Sequence, residues 1–105
     1  MKRRRLTLAQ RVKQGLDRII DMCEDGWQAH IHYRLLDMGY PLDKRRRCCL
    51  LAQMFGSYRE GLRLLEIPTD EISAPQEFGF DIYHDESATE LTKEWQRQLR
   101  RAFKR

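Results

Sequence analysis

The sequence predicts an all-α fold of about five helices, and three observations predict it. Apolar residues recur three and four positions apart in several stretches, the spacing of a buried helix face. Two capping boxes, Thr7-Leu8-Ala9-Gln10 and Ser87-Ala88-Thr89-Glu90, mark helix starts. The one alternating stretch, Phe80-Asp81-Ile82-Tyr83, has no evident strand to pair with. Five short helices suit a compact orthogonal or bundle-like domain, with an irregular acidic segment before the last helix. A chain of 105 residues, 41% of them hydrophobic, holds one such domain. Its expected bounds are 7–105, preceded by a basic N-terminal arm over 1–6.

The first helix is expected over 8–23. Leu8, Val12, Leu16, Ile19, Ile20 and Cys23 share its apolar face, while Arg11, Lys13, Asp17, Arg18 and Asp21 fill the others. Gly15 weakens that helix by about 1 kcal/mol relative to Ala. Trp27, Ile31, Leu35 and Met38 predict a second helix over 27–38, which Gly39 and Pro41 terminate. Asp43 can cap a third, with Cys48, Leu51, Met54 and Phe55 on its buried side. Gly56-Ser57 breaks it, and Tyr58, Leu62 and Leu65 define a fourth that Pro68 ends. Ser73-Ala74-Pro75-Gln76 can cap one short turn closed by Gly79. The last helix opens at the Ser87 box and aligns Leu91, Trp95, Leu99, Ala102 and Phe103 on one face. That face can complete the core or serve a homodimer equally well.

Composition narrows the function. Six Gly and three Pro exclude collagen-like and low-complexity classes. No apolar run approaches the ~18 residues of a membrane span, so no membrane association is expected. The basic start runs into Leu6-Thr7-Leu8-Ala9-Gln10-Arg11, which is no signal-peptide core. Three cysteines, two of them adjacent, fit reduced thiols and a cytoplasmic location. No convergent catalytic set is visible. His30 and His32 lie two apart on an expected helix and point to different faces, and His84 stands alone. Zinc-type spacings, phosphate-cradling glycine loops and Gly-x-Ser-x-Gly elbows are missing from the sequence. The expectation is a non-enzyme with no metal and no cofactor.

The net charge of +4 is an average over unlike segments. Residues 1–50 carry +6, 51–65 carry +1, 66–90 carry −8 without one Lys or Arg, and 91–105 carry +5. Such asymmetry points to an anionic partner for the basic part, unless the acidic segment folds back and neutralises it.

The stretch Cys48 to Glu66, CCLLAQMFGSYREGLRLLE, resembles the helix-turn-helix motif of DNA-binding regulators. Ala52 matches the small residue where the second helix crosses, Gly56 the turn, and Leu62 and Leu65 the residues that seat the second helix. Leu51 and Phe55 supply further core contacts. The resemblance implies that Ser57, Arg59, Glu60 and Arg63 face the bases, arginine being the usual reader of guanine. Ser57 departs from the usual apolar residue after the turn, and Gly61 lies within the second helix, where it costs stability. The same residues would also build an ordinary αα-hairpin with a glycine turn.

Lys44, Arg45, Arg46 and Arg47 sit where the motif's first helix would begin, and become favourable there if a phosphate occupies the helix end. Arg3, Arg4 and Arg5 could track a groove or backbone as a flexible arm. The leading expectation is therefore a small nucleic-acid-binding protein, a helix-turn-helix-like regulator or accessory factor on duplex DNA, with RNA as a further candidate. The alternative is a protein-binding adaptor or inhibitor, such as a small phage- or plasmid-type effector. Its acidic segment would then present Phe78, Phe80, Asp81, Tyr83, Asp85 and Glu86 to a partner.

Overall fold

The computed structural model describes residues 6–39, 49–71 and 73–103. Their helices are α1 (Leu8–Met22), α2 (Leu50–Phe55), α3 (Tyr58–Leu64), α4 (Ser73–Glu77) and α5 (Ala88–Phe103), with no strand among them. The described residues are all-α, as the periodicity predicts, with α4 rather than the expected 27–38 helix making the fifth.

α1 starts where its capping box places it. The Thr7 hydroxyl accepts the Gln10 N–H at 3.1 Å, and the Gln10 side chain accepts the Thr7 N–H at 2.9 Å. Its core face carries Val12, Leu16 and Ile19, but the predicted stripe is rotated. Ile20 stands 51% exposed, whereas Arg11, expected among the polar faces, is wholly buried. The cause is the segment 76–86, which packs along the Arg11 and Gly15 side. A Cβ on Gly15 would lie 2.0 Å from the Phe78 carbonyl oxygen, and one on Gly79 would lie 2.7 Å from the Val12 Cα. These glycines let two backbones touch, which explains why Gly15 is kept inside a helix that it weakens.

α5 packs against α1 and buries Leu91, Trp95 and Leu99 completely. The Trp95 ring stacks on Phe80 with centroids 5.3 Å apart, and its indole N–H donates to the Gly79 carbonyl. The Gln98 side chain donates to the Ala9 carbonyl at 3.0 Å, and Phe103 meets Trp27 with ring centroids 6.2 Å apart. The apolar stripe of α5 is thus covered within one chain.

Residues 27–38 do not form the predicted helix. They make two 3-10 turns, Trp27–His30 and Tyr33–Leu35. The backbone N–H of His32 donates to the Gln53 side chain at 2.7 Å, and the His32 carbonyl accepts from that same amide at 3.4 Å. A side chain of α2 thereby takes backbone groups that an α-helix would pair internally. Gly26, left-handed at φ 91°, offers no side chain to cap the segment.

α2 and α3 form a tight hairpin. α2 opens on Cys49; Asp43, expected as the cap, and Cys48, expected on the buried side, lie outside the described residues. Gly56 makes the turn at φ 90°, and the Ser57 hydroxyl caps α3 by accepting the Glu60 N–H at 3.1 Å. Ser57 therefore departs from the motif because it is the N-cap. A close crossing falls at Gly61, since a Cβ there would lie 2.6 Å from the Leu51 Cβ. α4 is the short turn expected after Ser73, and Gly79 closes it at φ 71°.

Candidate interaction groove

The exposed side of α3 faces a groove shared with residues 66–71, Pro75 and Asp81. Its floor is apolar: Tyr58, Leu62 and Ile67 are at most 9% exposed. The Tyr58 hydroxyl donates to the Phe80 carbonyl at 3.3 Å and ties α3 to the segment after α4. Burial pushes the Tyr58 phenol well above its ordinary range, and the charges of Asp81 and Cys49 add to the shift.

The rim is acidic. Glu60, Glu66, Asp70, Glu71 and Asp81 line the groove, against only Arg59 and Arg63. Arg63 is already engaged by Glu60, one turn away, through a 3.1 Å hydrogen bond from Nε and a second from Nη2. That hydrogen-bonded pairing holds the Glu60 carboxyl below its usual range and raises the Arg63 guanidinium. Arg59 is exposed.

The chain leaves α3 through a Schellman motif. The Glu66 N–H donates to the Arg63 carbonyl at 3.1 Å, and the Ile67 N–H to the Leu62 carbonyl at 2.9 Å. The residue in the left-handed position is Glu66, at φ 58°, the one non-glycine residue with positive φ among those described. Glycine is usual there, because a side chain in that conformation costs about 1 kcal/mol or more. From α1, Arg18 steadies the same end of α3 by donating to the Leu65 carbonyl at 2.8 Å.

The predicted site residues separate. Ser57, Arg59 and Arg63 share the α3 side, with Ser57 serving as a cap. Arg3, Arg4, Arg5, Lys44, Arg45, Arg46 and Arg47 lie outside the described residues. Of the six acidic-segment residues, Asp81 alone lines the groove. Phe80 is a core residue stacked on Trp95, and Phe78 lies half-buried under the Arg18 guanidinium at 4.6 Å. Tyr83 and Glu86 hold Arg11, and Asp85 is exposed beside them. Sequence reasoning missed Glu66, Asp70 and Glu71 as a unit with α3; the signal for them was the run of acids directly after the motif.

The described residues hold ten Lys and Arg against fifteen Asp and Glu, a net −5. Residues 1–5, 40–48 and 104–105 hold ten against one, a net +9. Among the described residues no group of three or more His, Cys, Asp or Glu is placed to hold a metal ion. No helix there is long and apolar enough to cross a membrane. Comparison with known protein families, curated proteins and solved structures finds no match.

Proposed function

We propose that this protein is a binding module rather than an enzyme, and that it takes a basic segment of a partner protein into the groove beside α3. One observation carries the reading: beyond the Glu60–Arg63 pair, four carboxylates ring an apolar floor against a single arginine, Arg59. A lysine- or arginine-rich segment complements that rim, and its aliphatic stems suit the floor of Tyr58, Leu62 and Ile67. Glu66 adds support, because a carboxylate stands at a backbone position where glycine would be less strained. A duplex approaching α3 would set its phosphates against Glu66, Asp70, Glu71 and Asp81.

The test is a titration of the full chain with a fluorescent lysine–glycine peptide at low and moderate salt. Binding that weakens with salt, and that disappears in the Glu66→Lys/Asp70→Lys/Glu71→Lys variant, is expected. Peptide binding that the variant retains overturns the reading.

Nucleic acid is the second reading, favoured by the basic clusters Arg3–Arg5 and Lys44–Arg47 and by the α2–α3 hairpin. Duplex DNA would then be bound chiefly through Arg3–Arg5 and Lys44–Arg47, with RNA as the alternative nucleic acid. Its mark is a log K that falls with log salt by about 0.9 per phosphate neutralised. Arg45→Ala, Arg46→Ala and Arg47→Ala together would flatten that slope.

A further inference from the structure

We infer that the basic segment carries an apolar anchor, seated in a methionine-lined groove on the other side of the last turn of α3; this rests on the groove reading above. The ends of α1, α2 and α3 converge there. Met22 is 40% exposed and Leu64 44% exposed, and Met54 and Phe55 beside them are only partly buried. Apolar side chains drawn from three separate elements into one groove offer a seat the size of a single apolar side chain. Methionine suits such a surface, because its unbranched thioether reshapes around different anchors.

Charge selects the occupant. Glu24 and Asp25 stand exposed at the rim and outnumber Arg18, which reaches Met22 from α1, so a cation next to the anchor is favoured over an acidic segment. Continuity joins the two grooves: Arg63 and Glu66 border the acidic one, and Leu64 and Leu65 border the methionine one. A segment crossing the last turn of α3 therefore places cations on one side and an apolar side chain on the other.

The experiment compares the lysine–glycine peptide with a version in which one terminal glycine is leucine. Wild-type protein is expected to bind the leucine peptide about tenfold more tightly, the scale of burying one such side chain. The Met22→Ser/Leu64→Ser variant changes two exposed positions, and its fold is checked by circular dichroism. It should lose that tenfold gain and keep its affinity for the leucine-free peptide. If leucine adds nothing, or the variant keeps the gain, the anchor is overturned while the acidic groove stands. If wild-type protein binds neither peptide, the groove reading falls and the anchor falls with it. Self-association that disappears in the same variant would assign the groove to a second copy and also overturn the proposal.

Discussion

The guanidinium of Arg11, wholly buried, is held by both carboxylate oxygens of Glu86, seventy-five residues away in the chain. The Nη1 bond measures 2.7 Å, Nε donates to the Gln76 carbonyl at 2.9 Å, and the group lies 4.0 Å from the centre of the Tyr83 ring. Glu86 also accepts the Tyr83 N–H at 2.8 Å. This cluster fastens residues 76–86 to α1 and so positions Asp81 at the edge of the groove.

Removing one partner of a buried ion pair leaves the other charge unpaired, which costs about 3–5 kcal/mol. Arg11→Met should therefore lower unfolding stability by that amount in urea melts. Arg11→Met with Glu86→Gln should recover part of it, because the amide oxygen still accepts the Tyr83 N–H without carrying a charge.

Gly15→Ala sets two effects against each other. Helix propensity favours alanine by about 1 kcal/mol. The new Cβ would lie 2.0 Å from a backbone oxygen that cannot rotate away, and overpacking of this kind costs about 1–3 kcal/mol. Steric cost wins, so thermal melts should show net destabilisation. A higher melting temperature would mean that α1 and residue 78 are not in contact.

Glu66→Gly should separate stability from binding. Relief of the left-handed conformation is expected to raise stability by about 0.5–1 kcal/mol, after the extra freedom of glycine in the unfolded chain is counted. The lost carboxylate should weaken the lysine–glycine peptide. Unfolding curves and the peptide titration on the same sample check both halves.

Tyr58 predicts an alkaline response. Its folded pKa lies above the unfolded value of about 10, so the unfolded chain releases the proton first. The stability it contributes is complete below about pH 10 and is lost as pH rises beyond it. Tyr58→Phe should lower stability at neutral pH by about 1 kcal/mol, through loss of the hydrogen bond to the Phe80 carbonyl. It should also flatten the alkaline limb of the stability curve.

Local signals were legible in the sequence. The Thr7 box, the Ser57–Gly56 break, the turn closed by Gly79 and the helix opening after Ser87 are all set by nearest neighbours, and the structure has them. What was not legible depends on distant partners. Nothing near Arg11 announces Glu86, and nothing in 27–38 announces that Gln53 will take the backbone groups of His32. Gly61 looks like a flaw in a helix until Leu51 is placed against it. The groove lay between these cases: its acids were evident as a run, but their position beside α3 follows from the Schellman turn at Glu66.

The most direct measurement is amide chemical-shift mapping of the full chain titrated with the lysine–glycine peptide. Salt-sensitive shifts concentrated at residues 57–63 and 66–71, with α5 little affected, are the predicted result. No shifts at low salt, or shifts confined to α5 and the far side of α1, would contradict a groove that binds basic partners.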